Sequence, residues 1–160
     1  GVVVGDTGWQ QRLDANKQAY LSEFVARPAF TAQYPSTLTP VQFVAALNAN
    51  ADSSLSADEV SAAVAEFGGA QDTSDAAARV RALLRVAENK KFYDGEFNPA
   101  FVLMQYFGYL QRNPEAPPDN NLDGYNFWLK KLNDFHGDYA KAEMVRAFIE
   151  SIEYRSRFGK

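Results

Sequence analysis

A chain of 160 residues, 46% of them hydrophobic, can build a real core, which excludes a disordered polymer. A formal net charge of −4 argues against a general nucleic-acid binder, whose mark would be a basic patch. The absence of cysteine excludes disulfides and thiolate chemistry, which suits a cytosolic protein and equally a bacterial exported one.

Gly1 and Val2-Val3-Val4 read as an added or flexible start over residues 1–8, with the native N-terminus missing and no signal peptide visible. Asp6 or Thr7 can cap a first helix over residues 9–26, where Trp9, Leu13, Tyr20, Leu21, Phe24 and Val25 recur at helical spacing. Arg27-Pro28 breaks it and starts a short turn with Phe30 and Tyr34. Thr39-Pro40 is a cap followed by proline, opening a helix with Phe43, Val44 and Leu47. Ser56 with Glu59 three residues on is a capping box for a helix carrying Val60, Val64 and Phe67, which Gly68-Gly69 stops. Ser74 can cap a helix over 75–89 with Val80, Leu83, Leu84 and Val86.

The chain is organised around residues 98–135. Asn98 is a good N-cap and Pro99 suits the first helical position. From Ala100 to Leu110 only Gln105 is plainly polar, so this helix is apolar nearly all round. At about 12 residues it falls short of the roughly 20 a membrane span needs, which makes it a buried core helix over 99–111. Gly108 in its interior implies close approach of a neighbouring helix. Asn113-Pro114 ends it, an acidic, proline-rich turn follows, and a second helix from about Tyr125 carries Phe127, Trp128 and Leu132. Asp138 then caps a helix over 139–150, and Ser151 caps a last turn with Ile152, Tyr154 and Phe158. No segment alternates with period two over strand length. The reading is one compact all-α domain, 1–160, of seven or eight helices around the buried helix 99–111, with halves 9–78 and 79–160.

Two longer-range patterns accompany it. Phe24-Val25, Phe30 and Tyr34 share their spacing with Phe148-Ile149, Tyr154 and Phe158, and Val86-Ala87 with Phe92 echoes it. A duplicated half-domain explains this, and so do independent solutions to one turn. Residues 1–78 carry three basic and nine acidic residues, and residues 79–160 thirteen basic and eleven acidic. Two faces meeting inside one fold account for that split, and so does head-to-tail contact between copies.

The run 97–110 (FNPAFVLMQYFGYL), RNP at 112–114, GYNFWL at 124–129, KLN at 131–133, AEMVRAFI at 142–149 and SIEYRSRFG at 151–159 resemble a bacterial domain of unknown function, the family numbered 4214. Residues 24–50 look like the upstream part of such domains, so the resemblance covers most of the chain. A more distant similarity is to the core domain of phycobilisome linkers. The resemblance implies a module of secreted or surface-associated bacterial proteins, extracellular or on the cell surface, and carries no catalytic or cofactor residues. The expected function is non-catalytic binding or assembly, with a protein or glycan partner or self-association, without nucleic acid or a membrane span.

The individual candidates point the same way. His136 is the only histidine and lacks the partners that a metal site or a general base needs. Tyr106, Phe107, Tyr109, Tyr125, Phe127 and Trp128 could line a ligand groove, but aromatics at helical spacing are first of all core. Arg112, Lys130, Lys131, Arg155 and Arg157 read as solvated helix surface, with Arg155 able to hold carbonyls at a helix end. Glu115, Asp119 and Asp123 are close enough in sequence for a carboxylate-based hydrolase, the competing class. Asp119-Asn120-Asn121-Leu122-Asp123-Gly124 is the first half of an EF-hand loop, with Lys130 where the bidentate glutamate belongs. That makes Asp119, Asn121 and Asp123 the candidate ligands for a weak calcium site, with turn shaping and helix capping as the alternative. Asn48, Asn50, Asp52, Ser56 and Glu59 have similar spacing, with Ser53 in place of the turn glycine.

Overall fold

The computed structural model describes residues 1–159 and is all-helical, with nine α-helices among the described residues, more than the seven or eight expected. It divides into two units, residues 1–93 and 94–160, rather than at 78. Divided there, each unit carries eight basic and ten acidic residues, so the charge split of the sequence disappears. The basic residues of helix 76–87 belong with the acidic segment that precedes them.

The first unit holds α1 (Trp9–Ala26), α2 (Pro28–Gln33), α3 (Pro40–Asn50), α4 (Ala57–Ala65), α5 (Ala76–Ala87) and the start of α6 (Lys90–Gln105). Local chemistry sets most of the boundaries. Thr39 Oγ1 accepts from Gln42 N while Gln42 Oε1 accepts from Thr39 N, a capping box. Ser56 and Glu59 close the box read from the sequence, at 3.3 and 2.8 Å. Asp75, not Ser74, caps α5, its Oδ1 accepting from Ala77 and Ala78 N. Ser74 instead donates to Asp72 at 2.7 Å. Neither Asp6 nor Thr7 caps α1, whose N-cap is left-handed Gly8. The core centres on Phe43 and Val44, both fully buried. Phe30, Tyr34 and Phe67 meet the Phe43 ring edge-on at 6.3, 5.7 and 5.7 Å.

The second unit holds the rest of α6, a π-helical turn Tyr106–Leu110, α7 (Asp123–Asp134), α8 (Met144–Glu150) and α9 (Ile152–Phe158). Asn98-Pro99 does not start a helix: α6 begins nine residues earlier and runs through Pro99. The earlier start has its own cap, Asn89 Oδ1 accepting from Phe92 N at 3.1 Å. The missing N–H of Pro99 is therefore a cost inside a helix, usually about 3 kcal/mol. Nor is 99–111 the most buried helix. Val102, Gln105, Tyr106 and Leu110 face the core, while Met104 is 59% and Phe107 42% exposed. Gly108 has open space where a Cβ would sit, so no helix packs closely on it. The helix expected over 139–150 is interrupted. Asp138 Oδ1 does accept from Lys141 N, but the chain then turns through left-handed Glu143 before α8 begins.

The aromatic repeat has a structural counterpart at two of its three positions. Arg27 and Ser151 each end one helix and start the next with nearly the same backbone, φ −63°, ψ 139° and φ −58°, ψ 148°. The short helix that follows packs Phe30 against Tyr34 with ring centroids 4.7 Å apart and Tyr154 against Phe158 at 5.0 Å, both pairs tilted. The break before Phe92 differs, because Glu88 there has φ −96° and ψ 6°.

His136 is an exposed, left-handed residue just past α7, at φ 53°. Its N–H donates to Asn133 O and that of Gly137 to Leu132 O, the Schellman pattern. Its role is conformational, and a side chain is a burden there. His136→Gly is expected to stabilise the protein by about 0.5–1 kcal/mol, since a left-handed L-residue costs about 1–2 kcal/mol and glycine's looser unfolded state takes part of that back. Urea midpoints compare the two, and a lower midpoint for the glycine variant contradicts the assignment.

Candidate functional site

The most connected group of the second unit is Arg112. Gln111 ends the π-helical turn in a left-handed conformation, φ 50°, and the next residue turns its side chain inward. That side chain is only 7% exposed, so the expectation of solvated helix surface fails for it. Its Nε donates to Glu153 Oε1 at 2.7 Å and its Nη2 to Glu153 Oε2 at 3.0 Å, a bidentate fork. Nη2 also reaches Asp119 Oδ2 at 2.7 Å. Nη1 donates to the carbonyls of Asn113, Pro114 and Ala116 at 3.1, 3.0 and 3.1 Å. The guanidinium lies over the Tyr106 ring, 5.2 Å from its centroid. One cation thus ties α9 to the proline-rich loop. The bonds to Glu153, above all, hold its proton more tightly than usual.

This settles where the calcium-like loop directs its groups. Asp119 is the ion-pair partner of Arg112. Asn121 Oδ1 accepts from Asp123 N at 2.9 Å, and Asn121 Nδ2 donates to Asp123 Oδ2 at 3.0 Å, so these two bond each other at the start of α7. All three candidate ligands have protein partners, and among the described residues no three His, Cys, Asp or Glu form a group that could hold a metal ion. The second loop is used likewise. Asn48 Oδ1 accepts from Leu55 N, Asn50 Nδ2 donates to the Tyr34 hydroxyl, Asp52 and Ser53 are left-handed, and Glu59 accepts from Asn89 Nδ2. Of the three carboxylates considered for hydrolysis, Asp119 and Asp123 must break these bonds before serving a substrate.

The aromatic set separates. Tyr106 is buried, Tyr109, Tyr125 and Trp128 pack partly buried against the same core, and Phe107 and Phe127 stay exposed. A cavity of about 230 Å³ lies beside Tyr106, Trp128, Phe148, Arg112 and Glu153. Arg157 anchors α9 by donating to the Leu110 carbonyl, the role expected of Arg155. Lys130 pairs with Asp134 at 2.5 Å, and Lys131 lies over Trp128. Gln105 lies at the step from α to π geometry. Its Nε2 donates to the Phe101 carbonyl, while its Oε1 is buried without a partner among the described residues.

Gly124 makes the packing of Tyr106 possible, because a Cβ there would lie 2.8 Å from the Tyr106 hydroxyl. The ring is buried and held edge-on by Phe148 at 5.2 Å, so it has nowhere to swing. Gly124→Ala is expected to destabilise by about 1–3 kcal/mol despite alanine's better helix propensity. In the Tyr106→Phe background most of that loss disappears, since the clashing oxygen is gone. A double-mutant cycle in urea reads the coupling, and equal losses in both backgrounds contradict the close contact.

Sequence reasoning missed two things here. The burial of Arg112 depends on Glu153, 41 residues away, which no local pattern signals. The exposed line on α6 was hidden by the assumption that an all-apolar helix is buried all round. No family model, no curated protein and no solved structure matches this chain.

Proposed function

We propose that this protein is a non-catalytic assembly module that pairs with a second copy of itself through the outer face of α6. The observation that carries the reading is the seam Phe97, Ala100, Met104 and Phe107, all exposed, with Phe97 at 50% and Met104 at 59%. The spacing of three and four residues from Phe97 through Ala100 to Met104 is the a/d repeat with which one helix seats on another, and Phe107 follows on the exposed side of the π-helical turn. The opposite face, with fully buried Val102, is already committed to the core. Over about 10 Å of α6, at about 1.5 Å per residue, the seam presents Phe97 and Met104 around one small residue, with Phe107 as a third apolar anchor on the turn that follows.

The choice of a second copy rests on self-complementarity. In an antiparallel pair Phe97 of one copy faces Phe107 of the other, and Met104 faces the small Ala100. Acidic Glu96 then lies opposite uncharged, exposed Gly108. A parallel pair would bring Glu96 against Glu96. Such an isologous contact closes on itself as a dimer. The resemblance to the family numbered 4214 supplies the setting we propose, an exported or surface-associated bacterial protein.

Sedimentation equilibrium of the full chain between about 10 μM and about 1 mM tests this, a range that brackets weak dimers. The wild type is expected to associate with concentration. Met104→Glu, at an exposed position, is expected to stay monomeric with an unchanged melting temperature. A wild type that remains monomeric throughout, or a Met104→Glu variant that associates equally, overturns the proposal.

A further inference from the structure

The first unit buries a cation that no acid among the described residues neutralises. Arg79 on α5 is 4% exposed. Its Nη2 donates to the Tyr34 carbonyl at 2.6 Å, and its Nη1 to the carbonyl and hydroxyl of Thr73 at 3.4 and 3.2 Å. The guanidinium lies over the Phe43 and Phe30 rings, at 4.8 and 5.3 Å. The two carboxylates nearest in sequence are engaged elsewhere: Asp75 caps its own helix, and Asp72 accepts from Ser74. Among the described residues no carboxylate pairs with Arg79, and its Nε–H makes no hydrogen bond. Arg112 shows the contrast, with two acids on one guanidinium. Burial alone pulls the affinity of Arg79 for its proton below the ordinary arginine value, with no neighbouring charge raising it.

A buried charge without a counter-charge is costly, and carbonyl dipoles and ring faces offset only part of the cost. Beside Arg79 lies a cavity of about 420 Å³. Ligand pockets commonly span roughly 300–1,000 Å³. Its walls are of two kinds. Val25, Ala26, Pro35 and Ala76 are apolar, while Ser36 offers a hydroxyl that makes no bond among the described residues. The other lining hydroxyls already donate within the chain, Thr31 to the Arg27 and Pro28 carbonyls, Thr73 to the Ser36 carbonyl and Ser74 to Asp72 Oδ1.

We propose that this cavity is a binding site for a small organic monocarboxylate, its carboxylate on Arg79 and Ser36 and its apolar body against Val25, Ala26, Pro35 and Ala76. An arginine fork with an unused N–H suits a planar carboxylate, and a half-apolar wall favours an acid with a hydrocarbon body over a bare inorganic anion. The ligand supplies the charge that the chain itself leaves out.

The test uses the full chain and five probes at fixed ionic strength: pentanoate, benzoate, the neutral amide of each, and inorganic sulfate as the bare anion. Thermal melting and calorimetric titration read binding, because a ligand of the native state raises the melting temperature with concentration. The acids are expected to give a saturable rise, and the amides and sulfate none. Arg79→Met is expected to abolish the response, and Ala76→Leu, which fills the cavity from the exposed start of α5, to abolish it in a chain that keeps Arg79. No response to either acid, an equal response to sulfate, or an undiminished response in Ala76→Leu overturns the proposal. These outcomes are independent of association through α6, since Met104→Glu leaves this cavity untouched.

Discussion

Arg112→Ala is expected to cost about 3–5 kcal/mol, the largest loss of any single substitution in the second unit, because breaking a buried ion pair strands its partner. Glu153, 21% exposed, would lose both bonds of the fork. The carbonyls of Asn113, Pro114 and Ala116 would lose the donor that gathers the loop. Asp119 contributes less, since at 36% exposure water screens its pair. Arg112→Lys should recover only part of the loss. An ammonium has three donors and no planar fork, so it cannot serve Glu153 bidentately and three carbonyls together. Urea denaturation read by tryptophan fluorescence is well placed, because Trp128 lines the adjoining cavity. A loss below about 1 kcal/mol, the range of surface pairs, would mean that the network is an ornament of the surface.

Phe43→Ala is expected to cost about 3–5 kcal/mol, the range for a fully buried phenylalanine. The ring has no exposed area and is enclosed by Phe30, Tyr34, Phe67 and the Arg79 guanidinium. Nothing nearby can close the gap, because each neighbour is fixed by its own contacts. Arg79 would also lose one of its two ring faces. Phe107→Ala is the control: at 42% exposure it should cost less than about 1 kcal/mol, although the sequence places it on a helix expected to be buried. Equal losses for the two variants would contradict the burial pattern.

The sequence was most legible where structure is local. The Ser56–Glu59 box, the Pro28 and Pro40 starts and the Ser151 cap each depend on residues within four positions, and all are present. It was least legible where distant partners decide. Pro99 looks like a helix start until Asn89 is seen to start the helix first. Arg79 and Arg112 look like surface residues because their acceptors, Tyr34 and Glu153, lie 45 and 41 residues away. The calcium-like spacing of Asp119 to Asp123 carries no information about Arg112, which faces Asp119 from the preceding turn. Composition identifies residues 100–110 as apolar but cannot say which side meets a core. A helix with one buried stripe and one outer seam has the same composition as a helix buried all round.

The proposed assembly specifies a register, and cysteine cross-linking reads register most directly. The natural chain has no cysteine, so introduced thiols report without background. An antiparallel seam brings residue 100 of one copy against residue 104 of the other. An equimolar mixture of Ala100→Cys and Met104→Cys chains, oxidised under mild conditions, is predicted to give mainly the mixed disulfide. Ala100→Cys alone should cross-link slowly, as should Met104→Cys alone. Homodimers of each variant at the expense of the mixed species, or no cross-linked species at a concentration where the wild type associates, would contradict the pairing of α6 with α6.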